Sequence, residues 1–193
     1  MRLAVVDTGH GFGTRALFAF IRAVSRQPVL DVIKLVKYRP DFYGDPMTPV
    51  TQEAMRGPSA WSVGDRELMA AVVAKANACA FCTKAHAAVA AGAYRDEAMV
   101  SAVLADLETA DIAEPLRATL RLLRKLTREH TVDTEQMRAV LAAGASREQI
   151  SDALAVAFAF NTIARLADAL GFAVPDAPAF EAGAKYLLAR GYR

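Results

Sequence analysis

Asn77-Ala78-Cys79-Ala80-Phe81-Cys82-Thr83-Lys84-Ala85-His86 holds both cysteines of the chain and one of its three histidines. Two thiols three residues apart can close a disulfide across one helical turn. A histidine four residues beyond Cys82 returns to the same helix face, where it can take a proton from that thiol or give one back. The block reads as redox chemistry. Glu67 lies twelve residues before Cys79, and one straight helix would hold the two roughly 18 Å apart at 1.5 Å per residue. The acid therefore reaches this chemistry only if the chain turns between Ala74 and Ala78, with Asn77 as break and cap. Glu67 would then leave its own helix and approach the cysteine helix from its N-terminal side. Cys79 falls in the first turn of the new helix, where free backbone N–H groups favour a thiolate. Cys82 sits a turn deeper and faces His86, and Glu67 orients the imidazole or relays its proton. Nucleophile, base and orienting acid are the parts of covalent catalysis.

Each part has a plainer reading. Two cysteines in an alanine-rich helix can be inert packing. His86 gains weight only from its spacing to Cys82, and Glu67 is also an ordinary first-turn acid favoured by the helix dipole. Cys79, Cys82 and His86 supply three zinc ligands, but no second C-x-x-C and no second nearby histidine closes the site. At the N-terminus, Gly9-His10-Gly11-Phe12-Gly13 imitates a phosphate loop after Leu3-Ala4-Val5-Val6. Its spacing is G-x-G-x-G, and no second strand follows at the distance a βαβ unit needs, so a flexible arm leading into a helix is expected there.

The elements that must position these residues are helical nearly throughout. Thr14–Ser25 and Val29–Val36 read as short helices. Residues 38–60 read as loop-rich, with four prolines and at most a short helix over Thr51–Arg56. Ser62 and Asp65 form a capping box for a helix to about Ala76, and the cysteine helix runs on to Ala91 with Gly92 as a left-handed stop. Further helices fit Asp96–Leu107, Pro115–Arg128, Thr134–Ala143, Arg147–Leu170 and Pro178–Arg190, with Gly144 and Gly171 as stops. Arg147–Leu170 is apolar on most sides around Ala153–Phe160 and reads as a buried central helix, kinked or broken. Ala90–Glu97 returns 52 residues later as Ala142–Gln149. The recurrence is either chance in an alanine-rich chain or an internal duplication. In the latter case Thr131, Thr134 and Arg138 stand where Cys79, Cys82 and His86 stand.

At 193 residues one all-α domain is expected, divided into an N-terminal extension (1–60), a core (61–171) and a C-terminal helix (172–193). The net charge of +2 comes with no basic stripe, which argues against nucleic acid. No apolar run is expected to reach the ~18 residues of a bilayer span, and the N-terminus lacks the long apolar segment of a signal peptide. A cytoplasmic protein is expected, and in that compartment C-x-x-C is catalytic or metal-binding more often than a staple.

The run from Arg66-Glu67 through Cys79-Ala80-Phe81-Cys82 to His86 resembles the alkylhydroperoxidase D-like branch of the carboxymuconolactone decarboxylase superfamily. In that branch a glutamate stands about twelve residues before a C-x-x-C and a histidine four residues after it. Phe158–Gly171 also looks like the closing helix of the longer, peroxidase-related members, so the resemblance covers roughly residues 60–171. It implies an all-helical homo-oligomer that reduces hydroperoxides with no bound cofactor and is recycled by a thioredoxin-like or lipoyl-bearing reductant. Cys82 would be the peroxidatic thiol, Cys79 the resolving thiol, and His86 with Glu67 the proton relay. One departure stands out: Phe81 occupies the place where the best-known members carry a further histidine. A dithiol–disulfide oxidoreductase or redox sensor with little peroxide turnover is the alternative, and a structural helical oligomer with incidental cysteines is a third.

Overall fold

The computed structural model describes residues 1–192. It is all-helical among those residues: α1 (Val5–Thr8), α2 (Phe12–Ser25), α3 (Asp31–Tyr38), a π turn (Pro40–Gly44), α4 (Asp45–Arg56), α5 (Val63–Ala76), α6 (Ala80–Tyr94), α7 (Glu97–Ala105), α8 (Glu114–Glu129), α9 (Thr134–Ala142), α10 (Arg147–Leu170) and α11 (Ala177–Arg190). The bundle is organised on the α5–α6 hairpin. α10, α8, α7 and α4 pack around α5, and α11, α7 and α10 around α6.

α5 is the central helix because its sequence has no polar face to give to water. Every residue from Arg66 to Ala74 is buried, and a helix apolar nearly all round belongs in a core. Ala70, Ala71 and Ala74 have no measurable exposure, so small side chains let the neighbouring helices approach closely. The expected capping box is present: Asp65 N–H donates to Ser62 Oγ (3.0 Å) and Ser62 N–H to Asp65 Oδ2 (2.8 Å). Tyr94, near the far end of α6, donates its hydroxyl to Asp65 and ties the two ends of the hairpin together.

The chain turns where the sequence placed the break, by a device the sequence did not disclose. Ala78 N–H donates to Lys75 O (2.9 Å) and Cys79 N–H to Ala74 O (3.0 Å), the hydrogen-bond pair of a Schellman motif. Ala78 is left-handed, with φ +60, at the position usually given to glycine. Asn77 Nδ2 donates to Val73 O (3.0 Å) and to Asn161 Oδ1 (2.9 Å), and Asn161 Nδ2 donates to Thr127 Oγ1 (3.3 Å). The turn is thereby fastened to both α10 and α8.

Other expectations are corrected. Residues 38–60 are mostly ordered helix: the π turn runs into α4, which accommodates Pro46 in its first turn and Pro49 inside it. Gly92 is not a stop. α6 continues to Tyr94 and is capped by left-handed Arg95, while a side chain at Gly92 would meet Leu188 of α11, its Cβ 2.9 Å from the nearest methyl. The helix stop that Ala90–Glu97 was expected to share with Ala142–Gln149 is therefore missing. α10 is one continuous helix of 24 residues, and it is less central than α5, with Phe158 60 % exposed on its outer face. By length and composition α10 could cross a membrane, yet in this fold its inner face packs on α4, α5, α6 and α8. The N-terminal segment contains α1, and buried His10 Nε2 lies 2.7 Å from Val6 O.

The left-handed alanine yields a prediction. A Cβ in this conformation costs about 1–2 kcal/mol, and glycine removes it at a smaller cost in unfolded-chain entropy. Ala78→Gly should raise unfolding stability in urea by about 0.5–1 kcal/mol; a loss of stability would mean that the turn is not strained.

Candidate active site

The hairpin places Glu67 and His86 at nearly equal distances along the chain from Asn77, one on each arm. In antiparallel helices such positions lie opposite one another. His86 Nδ1 is 2.8 Å from Glu67 Oε2. Glu67 therefore stays within α5 and meets the imidazole across the hairpin, instead of leaving its helix to approach the N-terminal side of α6. Arms of ten residues back to Glu67 and nine forward to His86 bring acid and histidine level.

Glu67 has no exposed surface, and a buried carboxylate must be neutralised or multiply hydrogen-bonded. Arg56, in the last turn of α4, gives Nη2 to Glu67 Oε1 at 2.7 Å. Tyr192 places its hydroxyl 3.0 and 3.1 Å from the two carboxylate oxygens. Burial alone would raise the pKa of Glu67; the hydrogen bond and charge of His86, followed by Arg56, reverse that and hold it below the ordinary 4.5. At neutral pH Glu67 is thus a carboxylate, a fixed acceptor that requires the proton on His86 Nδ1. It orients the ring. The ring is bounded by Phe160, edge-on with centroids 4.3 Å apart, and by the nearly parallel Tyr192 ring at 6.4 Å. His86 Nε2 makes no hydrogen bond to any described residue.

Cys79 is at once the residue after the Schellman turn and the N-cap of α6, and Cys82 is in the first turn. Both are free thiols and buried. The hydrogen bond from the Cys82 thiol, stronger than the effect of burial, and the nearby Cys82 backbone N–H lower the pKa of Cys79; Asp168 of α10 opposes this. The same hydrogen bond, then burial, pushes Cys82 far above the normal thiol range. The first negative charge on the pair therefore rests on Cys79. Tyr43 of the π turn and Tyr192 both feel the charge of Cys82, although burial is the main cause of their raised pKa values. Phe81 turns away into an apolar cluster, with ring centroids 5.3 Å from Phe172 and 5.7 Å from Phe180.

All four residues expected from the sequence thus lie on the two arms of one hairpin: Glu67 with His86, and Cys79 with Cys82. No hydrogen bond joins the two pairs. Arg56, Tyr192, Tyr43 and Asp168 were not anticipated. Arg56 and Tyr43 come from the segment read as a loop-rich extension, and Tyr192 follows the last helix at a position that no periodicity or motif marks.

Residues 43–125 match the model of the carboxymuconolactone decarboxylase family. No curated protein sequence matches the chain. Two solved structures share the fold. One is an uncharacterized peroxidase-related protein from Silicibacter sp. TM1040, 22 % identical, with a TM-score of 0.74 over 88 % of each chain. The other, described as an alkylhydroperoxidase AhpD core, is an uncharacterized peroxidase-related protein from Ralstonia eutropha JMP134, 21 % identical, with a TM-score of 0.75 over 91 % of this chain and 92 % of that one.

The carboxylate network sets the acid limb of stability. Since the Glu67 pKa is depressed in the folded state, its contribution is complete above about pH 4.5, the ordinary value, and is lost as pH falls through the folded value. Arg56→Ala leaves a buried charge short of its cationic partner and should cost about 3 kcal/mol at pH 7. The cost should shrink in acid, where the carboxyl of the variant takes up a proton. Urea titrations at pH 7 and pH 4 measure this; an equal loss at both would mean that Arg56 acts by packing alone.

Proposed function

We propose, for a chain whose residues 43–125 belong to the carboxymuconolactone decarboxylase family and whose fold is that of the alkylhydroperoxidase D-like branch, a thiol-dependent hydroperoxide reductase. The observation that carries this reading is the placement of two buried free thiols at the start of α6, one turn from an imidazole oriented by a buried carboxylate. His86 Nε2 is free to act as base, directly or through one water.

In the proposed cycle the Cys82 thiolate attacks the O–O bond of a hydroperoxide. Its sulfur gains one oxygen as sulfenic acid, and the second oxygen leaves as alcohol or water with a proton returned by His86. Cys79 then displaces hydroxide from the sulfenic sulfur, giving the Cys79–Cys82 disulfide and water. A dithiol reductant, thioredoxin-like or lipoyl-bearing, restores both thiols. The residues involved need no bound cofactor. Since Cys79 is the more acidic of the two thiols, the proton of Cys82 must move to His86 or across the pair before attack.

Two features favour the alternative of a dithiol–disulfide oxidoreductase or sensor. Both thiols are almost fully shielded, at 0 and 2 % exposure, and Phe81 supplies no acid–base group. Peroxide consumption coupled to a dithiol reductant separates the two readings. Cys82→Ser should abolish turnover, and Cys79→Ser should stop after one oxidation with a dimedone-reactive Cys82. Trapping of the sulfenic acid at Cys79 in Cys82→Ser, with none at Cys82 in the reverse variant, would reverse the roles. A dithiol that oxidises without consuming peroxide catalytically would leave the oxidoreductase reading standing.

A cytoplasmic homo-oligomer completes the proposal. α2 presents Phe12, Leu17, Phe20 and Val24, all 39–89 % exposed, a cost in water that association would remove. Light scattering at micromolar concentration should give a dimer or larger, and Phe20→Glu should lower the mass. A single-chain mass for the wild type would remove this part.

A further inference from the structure

Alone among the helices, α2 has no other helix packed along it. Only Phe18 of its 14 residues is buried, and a Cβ added at Gly11 or Gly13, where it begins, would meet nothing within 4 Å. At about 100° per residue, Thr14, Phe18, Ile21 and Ser25 form the inward face. Opposite them lie Phe12, Leu17, Phe20 and Val24, which are 89, 39, 64 and 69 % exposed, with alanines between. Arg15 and Arg22, seven residues apart, line one edge, and Arg26 is the C-cap. The helix contains no acidic residue, and none of these arginines has an ion pair or a side-chain hydrogen bond among the described residues. An apolar face edged by unpaired cations is complementary to an apolar surface edged by unpaired anions.

The same chain carries such a surface. Residues 1–39 hold seven basic and two acidic side chains, while the whole chain has a net charge of only +2, so the remainder is net acidic. α4 and α10 bound an open cleft of about 470 Å³, with Pro49, Val50, Pro58 and Ala155 as apolar walls and Glu53 and Asp152 as carboxylates. Neither carboxylate has an ion pair among the described residues; Asp152 accepts the Ser59 hydroxyl at 2.6 Å. Arg66 also lines the cleft, but it is 5 % exposed and donates to Gly57 O at 2.8 Å. Exposed Phe42 and Pro46 extend the apolar wall along α4. α4 has 12 residues and α2 has 14, about 18 and 21 Å of helix. A second cleft, about 310 Å³ between α8 and α10, is lined by Arg165 and no carboxylate, so it offers an arginine edge no partner.

We propose that α2 of one chain docks in the α4–α10 cleft of a second copy, its apolar face over Pro49 and Val50 and its arginine edge against Glu53 and Asp152. This rests on the homo-oligomer reading above and names the two surfaces that meet. In a two-fold pair each chain gives one helix and receives one, so the contact forms twice. α4 ends in Arg56, the cation on Glu67, so the docked helix braces the element that holds the buried carboxylate.

Two full-length variants test the contact by light scattering. One carries Arg15→Glu and Arg22→Glu; the other carries Glu53→Lys and Asp152→Lys. Each alone sets like charges across both contacts and should raise the dissociation constant about a hundredfold or more, so the mass falls at micromolar concentration. Mixed in equal amounts, the two variants face opposite charges at both contacts and should recover the wild-type mass. That recovery also shows that both variants are folded; Glu53→Lys alone replaces the second variant if it folds poorly. Wild-type mass in both separate variants, or a loss that mixing does not repair, overturns the contact while an oligomeric wild type keeps the homo-oligomer reading standing. A wild type of one chain removes both, and its binding to phosphatidylglycerol vesicles would then assign α2 to a lipid surface.

Discussion

A carboxylate with no access to water is the constraint around which the rest of this protein is arranged. An isolated charge at such depth would cost several kcal/mol, so Glu67 requires compensation from several directions at once. That compensation comes from Arg56 at the end of α4, His86 on α6 and Tyr192 after α11. Each donor is supplied by a different element, so all must be in place before α5 can be buried on every side. Arg56 fastens α4 to both the hairpin and the end of α11. The charge network and the hydrophobic core therefore form together, and the site cannot assemble without the fold.

The hairpin turn is the second constraint, and it couples to the dithiol directly. Cys79 terminates the hydrogen bonding of α5 and begins α6. Its position is thus set by backbone on both sides, while Cys82 is set by helix pitch alone. This difference accounts for the asymmetry of the pair. The sulfur at the N-cap sits by the Cys82 backbone N–H and accepts from its neighbour, which lowers its pKa, and the deeper sulfur is raised by giving that hydrogen bond and by burial. The imidazole stands one turn beyond Cys82 on the same helix.

Much of this was legible in the sequence because it depends on local spacing. The capping box at Ser62, the break at Asn77 and the grouping of Glu67, Cys79, Cys82 and His86 follow from helix periodicity and caps, which act within a few residues. Where long-range packing decides, the sequence misled. Gly92 resembles a stop but lies within α6, facing Leu188 of α11, and the prolines at 46 and 49 suggest a loop although one falls in the first turn of α4 and the other is tolerated inside it. Arg56 and Tyr192 were invisible for a related reason. An arginine in a last helical turn is ordinary dipole chemistry, and a tyrosine after a final helix carries no pattern. Their roles arise from where α4 and α11 dock.

Phe81 gains a physical meaning in this setting. At the place of a histidine in the best-known relatives, it packs against Phe172 and Phe180, and Phe172 follows directly on α10 and Phe180 lies on α11. A polar ring here would lose two aromatic contacts and be left seeking a partner in an apolar cluster. The aromatic cluster holds α11 against α6, and α11 in turn carries Tyr192 to the carboxylate. The Tyr192 hydroxyl is held far above its ordinary pKa, first by burial and then by Glu67, so it remains a donor at any working pH. Glu67, Arg56 and Tyr192 thus stand as fixed charges and dipoles around the His86 ring.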